Sequence, residues 1–335
     1  YAVCEKDGIP IYSLISLEHD FYYYWQRERT GAVPGLAASY ENQKLSHRDP
    51  EDTYEYVEGS ARGITPAMLE KGKYSRVLRT VIRDTKNHVI RKIVGKDKRT
   101  GDIYLRTRIA YTIRNCLGFR KEMRRQYEPI TQIADSDYVY YPLHYEPEAS
   151  LSGLEPHFTN QMYAVELLSK SVPVGVDVRV KEHPGGIGNR PSHWMDTIAQ
   201  FPHVKLVNPF ESSIELIRNS LATVTIAGTA GLEAALLGKP VISLGPNYRF
   251  NFVDHVWHGN DLMNLRGVIK QIYLKKDRGA FRRNGANLMK AIEMTCFKLD
   301  EHIVSVKNPS EPAVEVASNE LIRLVNEGEA ARSLS

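Results

Sequence analysis

Between residues 138 and 244, five short apolar runs alternate with helix-forming segments, and this alternation limits the possible folds more than any other feature of the chain. The runs are YVYYPL (138–143), VDVRV (176–180), HVKLV (203–207), ATVTI (222–226) and PVISL (240–244). Between them, 158–169, 192–200, 212–218 and 232–237 carry apolar residues at helical spacing. Strands joined through helices at this distance need right-handed crossovers, which set them parallel in one sheet with helices on both faces. The expected fold is α/β, with a Rossmann-like domain over 136–300.

Upstream the pattern differs. Residues 9–17 read as a strand, FYYYW (21–25) as the start of an aromatic helix, and 31–60 as a polar, turn-rich loop. Val77, Leu78, Val81, Ile82, Ile90, Ile93 and Val94 recur at helical spacing across 66–94, and a second basic helix is expected over 102–122. Beyond Asn260 the tail reads as several helices, the last amphipathic over 313–326. The regions expected are 1–135, 136–300 and 301–335. The chain begins at Tyr1 rather than a methionine and is expected to be a fragment with an incomplete first domain.

Charge is unevenly distributed. The net charge is +4, yet residues 62–125 hold 19 Lys/Arg against 5 Asp/Glu. Such a block is either a solvated helical face or a surface for an anionic partner: phospholipid headgroups or an acidic polysaccharide. Nucleic acid is not expected, since the block has neither an RNA-binding aromatic motif nor zinc-finger spacing. Cys4, Cys116 and Cys296 are few and scattered, which argues against a disulfide framework and a zinc site and fits a cytoplasmic protein. No run approaches the roughly 20 apolar residues of a membrane span.

Ligands of open parallel sheets bind beyond the carboxyl ends of the strands. Three segments put unusual residues there. YPLHYEPEAS (141–150) brings out His144, Glu146 and Glu148, an imidazole with two carboxylates suited to acid–base work or simply solvated in a linker. VRVKEHPGG (178–186) carries Lys181 and His183 on one side and Glu182 on the other, with Pro184 ending the strand; two cations there suit a phosphate. In VTIAGTAGLEAALLGKPVISLG (224–245), Gly228, Thr229, Ala230 and Gly231 lie between a strand and a helix start, where backbone N–H groups attract an anion. Thr229 either binds that anion or caps the helix. Glu233 falls off the helix's core stripe and is free for a sugar hydroxyl. A P-loop and the three-glycine dinucleotide fingerprint are both excluded by spacing.

Taken in order, YPLHYEPE (141–148), VKEHP (180–184), ATVTIAGTAGLEAALLGKPVISLG (222–245) and Tyr248 resemble the bacterial capsule polysaccharide biosynthesis proteins, which include Kdo transferases. The His-Pro pair and the hydroxyl-bearing helix start are also similar to motifs of sialyl- and polysialyltransferases that use CMP-sugars. The resemblance covers about 138–258. It implies a GT-B fold of two Rossmann-like domains, the first carrying basic helical insertions. It implies a nucleotide-sugar donor and no metal or cofactor. Donor contacts would come from His183, Thr229, Lys181 and Glu233, with His183 also able to protonate the departing phosphate. The acceptor would be an anionic polysaccharide or a phospholipid-linked one. Residues 62–125 would hold it, or would meet the inner face of the membrane or an export complex. By the same resemblance a catalytic carboxylate belongs in the first domain, where Glu18 and Asp20 near His19 are the candidates.

Three other readings compete. A CDP-glycerol-type polyol-phosphate transferase would show a Ser-Ser pair where Thr229-Ala230 stands. A UDP-sugar 2-epimerase would have a Ser-Gly-Gly turn and paired glutamates. A non-catalytic basic binding module would leave His183 and Thr229 without a role.

Overall fold

A computed structural model describes residues 9–17, 20–26, 32–44, 66–94, 101–128, 136–146, 155–191, 193–258, 264–274, 279–299 and 309–333, with isolated positions 4, 6, 53, 56, 57 and 131. The elements run β1 (Ser13–Ser16), β2 (Tyr22–Gln26), α1 (Leu36–Gln43), α2 (Pro66–Leu69), α3 (Tyr74–Ile93), α4 (Gly101–Glu122), β3 (Tyr138–Pro142) and α5 (Gln161–Ser171). They continue with β4 (Asp177–Lys181), α6 (Trp194–Ile198), β5 (Val204–Val207), α7 (Ser213–Asn219), β6 (Ala222–Thr225), α8 (Thr229–Leu236) and β7 (Val241–Ser243). Last come β8 (Val256–His258), α9 (Leu265–Leu274), α10 (Gly279–Thr295), β9 (Phe297–Lys298) and α11 (Glu311–Ser333).

The expected parallel sheet is present. Its order is β5-β4-β3-β6-β7-β8, so the protein is α/β with a six-stranded parallel sheet. Strands β3, β6 and β7 are buried along nearly their whole length, which is why they read as unbroken apolar runs rather than alternating ones. A second sheet, β1-β2-β9, is antiparallel.

Two expectations fail upstream. FYYYW is not a helix start: Tyr22–Gln26 form the central strand of the antiparallel sheet, pairing Tyr24 with Ile15 and Tyr23 with Phe297. Aromatic side chains fit a pleated, half-buried surface, and four in a row cover both of its faces. The 31–60 stretch is not all loop, because Leu36–Gln43 is helical. Its Leu36 and Tyr40, one turn apart, are fully buried in a helix that packs on α10. Tertiary packing stabilises a helix too short to persist alone.

Residues cluster into two compact units interleaved in sequence: 62–149 with 158–212, and 1–61 with 150–157 and 213–335. The first holds α2 to α6 and β3 to β5. The second holds the antiparallel sheet, β6 to β8 and the remaining helices.

In the first unit, α4 approaches the turn after β4 at backbone distance. Gly188 has φ +80, and a Cβ there would lie 2.5 Å from Asn115 O; one on Gly118 would lie 2.8 Å from Gly188 O. Two glycines thus let the basic helix pack directly on the segment that carries His183.

Candidate functional site

In the first unit, the exits of β3 and β4 come together, and a residue outside all three sequence segments joins them. Arg190 donates from Nε to Glu182 Oε2 at 2.5 Å, pairs with Glu146 Oε2 at 2.8 Å, and donates from a terminal nitrogen to the His144 carbonyl at 2.8 Å. Its guanidinium also lies 4.4 Å from the centre of the Trp194 ring. Gln161 completes the clamp: its Oε1 accepts from His144 N at 2.7 Å, and its Nε2 donates to His144 O and to Glu146.

These are buried charges. The side chains of Arg190 and Glu182 are 6% and 4% exposed. Burial pushes the Glu182 carboxyl up, opposed by Arg190 and by the His183 N–H that donates to it at 2.8 Å. His144 is buried as well, and burial first, then Arg190, push its imidazole down to about 4. It is therefore neutral at ordinary pH.

His183 sits at the tip of this structure. It follows β4 and precedes the Pro184–Gly186 turn, and its Nδ1 accepts the Gly185 N–H at 3.0 Å. With Nδ1 acting as acceptor, a neutral ring carries its proton on Nε2. The ring reaches solvent and meets Tyr145 edge-on at 5.7 Å. Its pKa is lowered by the protein bulk around it, then by Lys181, Lys71 and Arg190.

Lys181 differs from its expected placement. Its chain is buried, and its Nζ donates to Glu211 O at 2.6 Å, so it acts on His183 through its charge while its ammonium holds a backbone carbonyl. Lys71, from the basic segment, donates to Gly185 O and so ties that segment to the histidine turn. Burial lowers the Lys71 pKa. Beneath the turn is a cavity of about 20 Å³ lined by Gly118, Tyr127, Glu182, Ile187, Gly188 and Arg190. That volume is the size of a water rather than a sugar.

In the second unit, the helix start expected at Gly228–Gly231 is found. The N-cap is Gly228 and Thr229 is the first helical residue, so α8 begins three residues before the apolar stripe suggested. Gly228 N donates to Thr225 Oγ1 at 2.9 Å. Gly231 is packed so tightly that a Cβ would collide with the Tyr248 hydroxyl and lie 2.6 Å from Thr225 Cγ2. Leu232, Ala234, Ala235 and Leu236 are buried, while Ala230 and Glu233 are half-buried.

Nearby in the same unit, the exits of β7 and β8 hold polar groups that the sequence did not mark. Glu155 accepts from Asn247 N at 2.7 Å, with its pKa raised by burial. Asn251 Nδ2 donates to Gly245 O at 3.2 Å and meets His258 Nδ1 at 3.2 Å. Asp20 is engaged by Tyr56 and Lys298. Glu148, Glu18 and His19 lie outside the described residues. Among the described residues, no group of three or more His, Cys, Asp or Glu is placed to hold a metal ion.

No family model matches the chain. One curated relative, Protein FixF of Sinorhizobium fredii, is 35% identical over 145 residues, which is 37% of this chain and 33% of that protein. The chain thus spans about a third of the length of the relative it matches. Solved structures to which it is similar include two of Thermosulfurimonas dismutans KpsC. The beta Kdo 2,7 transferase gives TM-score 0.40 at 12% identity, over 96% of this chain and 83% of that one. The beta Kdo 2,4 transferase gives 0.38 at 15%, over 85% and 73%. Anabaena HepE, solved with UDP and glucose, gives 0.34 at 14%, over 50% of this chain and 46% of that one.

Proposed function

We propose that the chain is a metal-independent glycosyltransferase of capsule or surface polysaccharide assembly. In this reading it takes a sugar from a nucleotide-activated donor, CMP-linked and Kdo- or sialic-acid-like, and passes it to an anionic glycan or lipid-linked acceptor. The motif resemblance supports the donor class. The single observation that carries the reading is the His183 turn: a solvent-reaching imidazole beyond a parallel strand, its pKa lowered by the surrounding protein and three cations, with Nδ1 committed to Gly185.

That tautomer leaves Nε2–H as a donor for a phosphate oxygen. When the sugar–oxygen bond of a CMP-sugar breaks, negative charge grows on the departing phosphate, and a fixed donor among cations stabilises it more than it stabilises the ground state. Cations that lower the ring's pKa favour hydrogen-bond donation by His183 over delivery of a full proton. Lys181 and Lys71 supply charge beside it. His144 and Glu146 brace the turn through Arg190, with Glu146 and Glu148 as the acid–base carboxylates of the proposal. Thr229, with Gly228, Ala230, Gly231 and Glu233, is proposed to contact the donor as well. Residues 62–125 are proposed to hold the acceptor or to meet the inner face of the membrane, in a protein working at that cytoplasmic face.

Thermal stabilisation by CMP, CDP, UMP and UDP tests the proposal. CMP is expected to raise the melting temperature of the native chain and to lose that effect in His183→Ala. Thr229→Val is expected to weaken the CMP effect without lowering the melting temperature of the free protein, since the N-cap is Gly228. Stabilisation by uridine nucleotides alone would sink the CMP assignment.

A further inference from the structure

Helix α3 has two faces of different character. Val77, Thr80, Val81, Asp84 and His88 are half-buried on the side toward α4, where Asp84 takes Arg108 Nε at 2.5 Å. On the opposite side Leu78, Ile82, Val89 and Ile93 are 62%, 58%, 47% and 78% exposed. At 3.6 residues per turn these four lie within about 60° of one another around the axis. No residue of this 20-residue helix is buried. The helix carries Arg76, Arg79, Arg83, Lys86, Arg91 and Lys92 against Asp84 as its one acid.

Cations alone would suit any polyanion, but the apolar stripe narrows the choice. A soluble acidic glycan would satisfy the arginines and leave four aliphatic side chains in water. A symmetric pairing of two copies through this face would bring two strongly basic helices together. A lipid bilayer with anionic headgroups offers phosphates and hydrocarbon within one side chain's reach. Among the described residues no helix is long and apolar enough to cross a membrane, so α3 would lie along the surface.

We infer that α3 docks the protein on an anionic phospholipid bilayer. Leu78, Ile82, Val89 and Ile93 enter the acyl boundary, and Arg79, Arg83 and Lys86 reach the headgroup phosphates. The inference does not need the glycosyl-transfer reading: a failed nucleotide titration leaves it standing.

The test is flotation of the full chain with vesicles of phosphatidylcholine alone or mixed with phosphatidylglycerol. Binding is expected to the mixed vesicles and to be weaker by roughly tenfold or more to the neutral ones. The double variant Leu78→Glu/Ile82→Glu is expected to lose binding by a similar factor while keeping its melting temperature, because both side chains are exposed. Ile82→Trp is expected to shift its fluorescence to the blue on mixed vesicles, which headgroup attraction alone does not cause. Three results overturn the inference. One is undiminished binding by the double variant, another is no binding by the native chain, and the third is a native dimer that the double variant dissolves. Retention on dextran sulfate without vesicle binding assigns the surface to a glycan instead.

Discussion

The His183 turn and the Gly228–Gly231 helix start occupy comparable places, each just beyond the end of a parallel strand in its own unit, but they are held by opposite means. The turn after β4 is held by charge: Arg190 clamps Glu182, Glu146 and the His144 carbonyl, and Lys71 holds Gly185 O. The start of α8 is held by volume, with Gly231 closed in by Tyr248 and Thr225. A charge-held turn is sensitive to pH and to the loss of one partner, because a buried ion left alone costs far more than a pair. A volume-held turn is sensitive to a single methyl and indifferent to protons.

The largest expected effect is on the charged side. Arg190→Met strands Glu182 in the interior and is expected to cost about 3–5 kcal/mol in chemical denaturation. Adding Glu182→Gln should return part of that loss. If the double variant is no more stable than the single one, Arg190 is not the clamp described.

Acid provides the second test. The folded His144 pKa of about 4 lies below the ordinary 6.5, so the unfolded chain binds the extra proton between those values. The stabilisation is complete above pH 6.5 and is lost as pH falls toward 4, by about 3 kcal/mol. His144→Asn should flatten that part of the stability–pH curve, whatever its effect at neutral pH.

On the packed side, Gly231→Ala is expected to destabilise by about 1–3 kcal/mol through overpacking, equally at pH 5 and pH 7. Tyr248→Phe removes the hydroxyl in the way and should restore part of the loss. The smallest effect expected is that of Lys71→Met. Because Lys71 lowers the His183 pKa, the variant should raise it, followed as the ring C–H shift in a pH titration by NMR. A His183 titration unchanged in Lys71→Met would break the link between the basic segment and the turn.

Much of the parallel sheet could be read directly, since strands buried on both faces need continuous apolar residues that leave a local signature. The two misread stretches lack one. FYYYW suits either period, and α1 shows only Leu36 and Tyr40 of its buried stripe. For the candidate site, strand-end logic reached His144, Glu146, Lys181, His183 and the Gly228–Gly231 start. It missed Arg190, whose partners stand at 144, 146 and 182, and Lys71, one of 19 basic residues in its segment. Alternation put Lys181 and His183 on one side, yet Lys181 turned out to be spent on Glu211 O.

Local chemistry thus determined the strands of the parallel sheet, the helices between them and the polar residues that follow the strand ends, because hydrophobic period and turn residues act over a few neighbours. Only the tertiary structure decided which charges neutralise one another, which cations act on His183, and which face of α3 is left in water. Those outcomes depend on desolvation and on distances between residues remote in the chain, and no local pattern encodes them.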